Sequence, residues 1–377
     1  MRQALRLKSL RAHVYRAPIE TPVTTSFGIM RDRPMVVVEA EDHDGVRGWG
    51  EAWCNFPQVG AEHRARLVES VLAPLATAGV HESPATLFHH LTRQTAVLAI
   101  QCGESGPFAQ AVAGVDIAVW DLVGRKQEKP LWQLMGGNSP AIPVYASGLN
   151  PTSPEVLARK KLDEGYRAFK LKVGFGAGRD IGNLDALRDT LGPLAELMVD
   201  ANQAWTLTQA IEAAPRLERF GIKWLEEPLR ADRPWEEWEH LKRATRLPLA
   251  AGENILGRSA FNEAMLSRTL SIVQPDLAKW GGFSGCAPVA KRIAQSSAIY
   301  CPHYLGGGIG LLASAHLLAG VGGAGRLEID ANDNPLRTML CGPLNDIQDG
   351  HATLTEKPGL GVGEDDLAAI ERYRVRH

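Results

Sequence analysis

"AFKLKVG" (168–174) places two lysines two residues apart in a run that otherwise reads as a buried strand. Side chains alternate along a strand, so Lys170 and Lys172 share one face while Phe169, Leu171 and Val173 take the other. Two adjacent ammonium groups are costly to bury unless something anionic faces them or the crowding is itself useful. Outward from this run, one unit recurs: a short β-rich run, a loop, a helix-like segment. The runs are "IPVYAS" (142–147), "AFKLKVG" (168–174), "LMVDANQ" (197–203), "IKWLEEP" (222–228), "LPLAAGEN" (247–254), "LSIVQPD" (270–276), "AIYCPHY" (298–304) and "RLEIDAN" (326–332). After the first, Ser153 and Pro154 offer an N-cap and a first-turn proline for "EVLARKKLDE", with Gly165 placed to end that helix. Strands alternating with single helices predict parallel pairing through crossovers. Eight such units close into an α/β fold of the (β/α)8, TIM-like type over residues 140–335. Residues 1–135 put strand-like stretches first and helix-like ones later, which predicts a separate N-terminal α+β domain. Residues 336–377 lack the barrel rhythm and are expected to return to that first domain.

Composition narrows the partners. Over 377 residues, 41 Lys and Arg balance 43 Asp and Glu with no basic block, so the electrostatic footprint of a nucleic-acid binder is missing. The N-terminal stretch lacks the apolar region of a signal peptide, and no apolar run has membrane-spanning length, which predicts a soluble, cytoplasmic chain. Five scattered cysteines with no CxxC spacing argue against a disulfide framework and against a zinc site. A small molecule is the expected partner.

In a barrel of this type the active site lies where the strands end. The runs end in Lys172, Asp200, Glu226, Glu253, Asp276, His303 and Glu328, spaced 23 to 28 residues apart, one strand–helix unit each time. A lone acid at such a position is ordinarily a helix cap or a loop salt bridge. Seven in phase are not. Asp200, Glu226 and Glu253 end adjacent strands, and three carboxylates converging without Cys or His predict oxygen ligation of Mg²⁺. Asn202 falls on the face of Asp200 and suits a contact with substrate or with the metal's surroundings. Glu227 would point away from Glu226 if the strand continued, as a structural ion-pair partner. Lys170 disfavours the protonated form of Lys172, which can then act as a base. Asp276 beside His303 would fix the imidazole's tautomer. Glu328 suits either of two roles equally, a protonated hydrogen-bond donor to substrate or a salt-bridge partner of Arg326 or Arg337. Two bases facing each other across a metal suit removal of a proton next to a carboxylate, through an enediolate.

The set "KLK", "VDANQAW", "LEEP", "GEN", "QPD", "PHY" and "LEIDANDNP" resembles the enolase superfamily, mandelate racemase subgroup, over nearly the whole chain. The resemblance implies a capping domain made of the N-terminal region and the C-terminal tail. It also implies Mg²⁺, a small carboxylate substrate, Lys172 and His303 on opposite faces of it, and a homo-oligomer. Asp276 paired with His303 separates the chain from the muconate-lactonising subgroup, although Lys279 stands near that subgroup's lysine. Capping loops are expected at about 20–33 and 52–60. Family members with these residues dehydrate sugar acids to 2-keto-3-deoxy acids, and others racemise or epimerise; dehydration is favoured on frequency. Rival motifs are weaker. "VGFGAG" (173–178) has GxGxG rather than dinucleotide spacing, "YLGGGIG" lacks a GK[ST] ending, and "FHH" (88–90) has no ligand-spaced companion. A barrel kept only for binding would show gaps in the ring of ionisable strand ends, and none is visible.

Overall fold

The computed structural model describes residues 4–25 and 28–376. Ser26 and Phe27 of the expected capping loop lie outside the described residues. The chain opens with an antiparallel sheet of β1 (Leu7–Thr25), β2 (Gly28–Asp42) and β3 (Arg47–Ala52) in that order. Helices follow, chiefly Pro84–Gln101 and Ser105–Lys126. What reads as a loop at 20–33 is largely the end of a long β1–β2 hairpin, with a register irregularity between Pro18 and Val23.

Eight parallel strands follow: β4 (Ala141–Leu149), β5 (Ala168–Lys172), β6 (Glu196–Asp200), β7 (Leu225–Glu226), β8 (Leu249–Ala251), β9 (Ile272–Val273), β10 (Ile299–Tyr300) and β11 (Leu327–Asp330). Their order is β10-β9-β8-β7-β6-β5-β4-β11, each adjacent pair parallel. This is the curled sheet of a TIM-type barrel. Among the described residues the hydrogen-bond ladder does not cross from β10 to β11. The chains still touch there, because a Cβ built on Gly325 would overlap the Tyr300 carbonyl oxygen at 1.8 Å.

Period-2 alternation sorts the interior into layers. The lower layer is apolar, built from Tyr145, Ala168, Met198, Trp224, Ala250, Ile272 and Cys301, each within or directly beside a different strand. Two residues further along the same strands come Ser147, Lys170, Asp200, Glu226, Gln274 and His303, all buried. Apolar packing below thus fixes which polar side chains face inward above.

After β11, β12 (His351–Thr353) pairs antiparallel with β4, and the tail then reaches the first domain, where Val375 N donates to the Val14 carbonyl at 2.8 Å. Two buried carboxylates also join first domain and barrel. Glu51 accepts from Gly307 N (2.6 Å) and Gly310 N (2.9 Å) at the start of helix Gly308–Val321. Asp116 accepts from Ser284 N (2.9 Å) at the start of helix Gly282–Ala294. Burial pushes each carboxyl up to about 7, while the helix-start amides work the other way. These two helices follow β9 and β10, the strands that lead to Asp276 and His303. Among the described residues no helix is long and apolar enough to cross a membrane.

His316 lies on helix Gly308–Val321, accepts from Trp132 N at 3.0 Å, and is pushed down to about 3 by burial. The folded state therefore holds it neutral where the unfolded chain protonates it. Its contribution is complete above about pH 6.5 and is lost as pH falls toward 3, at up to ~1.4 kcal/mol per pH unit. Urea unfolding between pH 7 and pH 5 should show His316→Asn losing less stability than the parent across that window.

Candidate active site

Three strands lose their extended geometry just where they carry acids. After Asp200 the chain turns through Asn202 (φ 44°) and Gln203 (φ 64°); after Glu226 it turns at Glu227 (φ 37°). After β8 it turns at Gly252 (φ +152°), where a Cβ would lie 2.5 Å from Gln274 N, so only glycine fits. Each turn aims polar side chains at the barrel mouth. Left-handed non-glycine residues cost energy and concentrate at functional sites.

Lys170 and Lys172 divide the work. Lys170 is 2% exposed, ion-paired to Glu226 Oε1 and, at 2.6 Å, to Glu328 Oε1. Burial alone would push it down, but the two carboxylates outweigh that and hold it well above the usual lysine range. Lys172 reaches the cavity instead, and its Nζ donates to Asn202 Oδ1 at 3.0 Å. The same Asn202 gives its backbone N–H (2.7 Å) and Nδ2 (2.9 Å) to Asp200. Across the cavity, His303 Nδ1 meets Asp276 Oδ2 at 2.8 Å and Nε2 meets Glu253 Oε2 at 2.7 Å. Burial opposes protonation of this imidazole, but Glu253, Glu328 and the bond to Asp276 hold it well above its usual range. Lys279 Nζ pairs with Glu253 Oε2 at 3.0 Å and lies 4.7 Å from the centre of the Trp53 ring, supplied by the first domain.

Two sequence expectations change. Glu328 is ion-paired, but its partner is neither Arg326, which pairs with Glu196, nor Arg337, which donates to backbone carbonyls. It accepts from Ser147 Oγ at 2.5 Å as well as pairing with Lys170. Burial would raise it, but Lys170 and His303 carry it below the usual carboxylate range. Glu227 does not point away. Its positive φ turns it in beside Glu253, and Asn254 Nδ2 donates to Glu227 Oε1 at 2.8 Å and to Glu253 Oε1 at 3.3 Å. Burial and the charges of Glu253 and Asp200 push Glu227 well up. Glu226 sits one layer deeper, and besides Lys170 it accepts from Trp224 Nε1 (3.0 Å) and Gln274 Nε2 (2.7 Å). Burial raises it to about 7.

Asp200, Glu226, Glu227, Glu253, Asp276 and Glu328 are six carboxyls beside only four cationic or titratable groups, Lys170, Lys172, Lys279 and His303, and burial with neighbouring charge raises Asp200, Glu226 and Glu227. The Oε2 of Glu227 is buried without a hydrogen-bond partner. A hard divalent cation answers both observations, since an all-oxygen donor set prefers it. In their present positions no three acidic or histidine side chains among the described residues are gathered closely enough to ligate an ion, so loading such a cation requires these side chains to shift. One cavity of about 210 Å³ receives Lys172, Asn202, Glu253, Lys279 and His303, under a roof that includes Val23, Met30 and Phe56 of the first domain. The dinucleotide alternative fails on geometry: Asp180 fills the "VGFGAG" turn, accepting from Gly174 N (2.9 Å) and Phe175 N (3.2 Å), where a phosphate would sit.

Residues 155–368 match the family described as Enolase C-terminal domain-like, and residues 10–136 match the Mandelate racemase / muconate lactonizing enzyme N-terminal domain. The chain belongs to the enolase superfamily. A solved mandelate racemase/muconate lactonizing enzyme from Bordetella bronchiseptica RB50 is 54% identical with a TM-score of 0.93, covering 98% of this chain and 100% of that one. An enolase from Bradyrhizobium, solved with magnesium and mandelic acid, is 28% identical with a TM-score of 0.86 and full coverage of both chains, 100% and 100%. An arabinonate dehydratase from Saccharolobus solfataricus is 29% identical over 92% of this chain and 93% of its own length. Other curated relatives of this superfamily member are cycloisomerases and racemases or epimerases.

Removing one partner of the Lys170 group leaves buried charge uncompensated. Lys170→Met should cost about 3–5 kcal/mol by denaturant unfolding. Lys170→Met combined with Glu226→Gln should recover part of that loss.

Proposed function

We propose that this chain removes the proton alpha to a carboxylate, and that the overall reaction is dehydration of a sugar acid to a 2-keto-3-deoxy acid. One observation carries the reading: Lys172 and His303, the latter backed by Asp276, line a single cavity together with Asn202 and Glu253, and Asp200 lies behind Asn202. The dehydratases among the relatives support the choice of reaction. Mg²⁺ is the proposed cofactor, with Asp200, Glu226 and Glu253 as its ligands and Glu227 beside them. When bound, it supplies positive charge next to the substrate carboxylate as C2 loses its proton.

The chain's own residues do the rest. Lys172 takes the C2 proton, and Asn202 holds the Lys172 amine in place. Lys170 and Glu328 form a fixed charged floor under the reacting carboxylate, which limits reorganisation as charge develops. His303, oriented through Nδ1 by Asp276, gives its Nε2 proton to the 3-hydroxyl, which leaves as water as the C3–O bond breaks. The resulting enol becomes the 2-keto acid on gaining a proton at C3. The apolar roof of Val23, Met30 and Phe56 favours a second reading, racemisation of an acid with an apolar substituent by the same two bases.

Proton NMR in D₂O with Mg²⁺, over a panel of sugar acids, 2-hydroxy acids and N-acyl amino acids, separates the readings. New 2-keto-3-deoxy signals are expected. Exchange of the C2 proton without a new product would support racemisation, and neither change would contradict both. Lys172→Ala and His303→Asn should each lower turnover by at least about 100-fold. By calorimetry, Glu226→Gln and Glu253→Gln should weaken Mg²⁺ binding by at least ~100-fold, and Glu227→Gln by about 10-fold.

A further inference from the structure

The glycine-rich run "YLGGGIG" (304–310) begins directly after His303, and the protein itself fills its cradle. Glu51, on β3 of the first domain and 2% exposed, accepts from Gly307 N and Gly310 N at 2.6 and 2.9 Å. The charge of Asp276 acts on it with like sign, so the helix-start amides seat this carboxylate rather than any attraction to the barrel's charges. Tyr304, 1% exposed, packs into the same turn. A Cβ built on Gly306 would lie 2.2 Å from Tyr304 Oη and 3.1 Å from Glu51 Oε1, and one on Gly310 would lie 2.3 Å from Tyr304 Oη. Only glycine lets the phenol and the carboxylate meet over the turn that follows His303. From the barrel side, Tyr304 N donates to Glu328 Oε2 at 3.3 Å and Asn334 Nδ2 donates to the Gly306 carbonyl at 2.8 Å.

Two more holds come from the same stretch of the first domain. Asn55 Nδ2 donates to the carbonyl of Leu305, two residues after His303. Trp53 N donates at 3.3 Å to the carbonyl of Ala278, two residues after Asp276. That second turn closes on Asp276 itself, whose Oδ1 accepts from Ala278 N (2.9 Å) and Lys279 N (3.0 Å). Residues 51–55 therefore hold the turn after Asp276 and the turn after His303 side by side, and Asp276 Oδ2 meets His303 Nδ1 at 2.8 Å between them. Lys172 is held differently, from within the barrel by Asn202. An acid must present its proton within hydrogen-bond reach of the leaving oxygen, and small misplacements are costly. Asp276 can orient the imidazole only while the two turns keep their spacing.

We infer that Glu51, with Trp53 and Asn55, positions the His303–Asp276 pair, so that docking of the first domain sets the acid of the reaction and leaves its base to the barrel. This rests on the reading of His303 as the acid. NMR of the histidine rings in the full-length, Mg²⁺-loaded protein tests the positioning without substrate, at about pH 8, where Glu51 is ionised. The signals of His303 are those lost in His303→Asn. Those of His316, on the helix that Glu51 caps, are lost in His316→Asn. Glu51→Gln keeps an oxygen for one glycine amide and turns an NH₂ group against the other. It should shift or broaden the His303 signals and leave those of His316 in place. Equal displacement of both, as a merely structural role would give, or no change at His303, would overturn the inference. Asn55→Ala, at a half-buried position, makes the same comparison if Glu51→Gln fails to fold.

Kinetics with gluconate, galactonate and arabinonate separate this inference from the reaction it rests on. Glu51→Gln should lower turnover by about 10- to 100-fold while exchange of the C2 proton in D₂O falls by less than about 2-fold. Equal loss of turnover and exchange would overturn the positioning role alone, because Lys172 would then be displaced as much as His303. Neither exchange nor turnover of any of the three acids by the parent would count against the proton chemistry, and the ring signals of His303 and His316 would still decide the positioning.

Discussion

Charge compensation away from water is the constraint on which this structure depends. A barrel mouth that buries six carboxylates needs cations close by, and the chain provides them at defined depths. Lys170 lies lowest, between Glu226 and Glu328; His303 and Lys279 share Glu253 above it. Removing any one member would leave a partner buried and unpaired, which costs more than the intact group contributes. The network is thus better understood as fixing geometry than as adding stability. The raised carboxyls it leaves, Glu226 and Glu227 among them, are those that a divalent cation would favour in the ionised form.

The first domain is part of that arrangement. Glu51 and Asp116 place two of its carboxylates on the starts of the helices that follow β10 and β9. Arg33 and Trp53 reach Asp330 and Lys279 from the same domain. The residues that would hold substrate and those that would react with it are therefore fixed by one interdomain surface. A change in the first domain can alter selectivity with no contact to the reacting atoms.

The architecture was legible because strand period and unit spacing act over short distances. All eight runs contain a strand, and the layer under the site follows from alternation alone. The ladders are shorter than the runs suggested, only two residues at β7, β9 and β10, since the functional residues lie just past each ladder, where the backbone turns. Glu227 was misread for that reason: one left-handed residue reverses a side chain that period 2 assigns outward. The partner of Glu328 was missed because Lys170 is far off in sequence and meets it only where β5 and β11 flank β4. Ser153 sits at the start of its helix yet makes no capping bond, its φ of 46° turning the hydroxyl from the first turn. Arg33 carries no local signal at all, because its role depends on how two domains dock.

The central claim is that Lys172 takes the C2 proton while His303 protonates the departing 3-hydroxyl from the other side of the substrate. Solvent exchange of the C2 proton and turnover of the same acid, followed together in Lys172→Ala and His303→Asn, test it most directly. The account predicts that Lys172→Ala loses both exchange and turnover, and that His303→Asn loses turnover but retains exchange. Retention of exchange in Lys172→Ala, or its loss in His303→Asn, would contradict it.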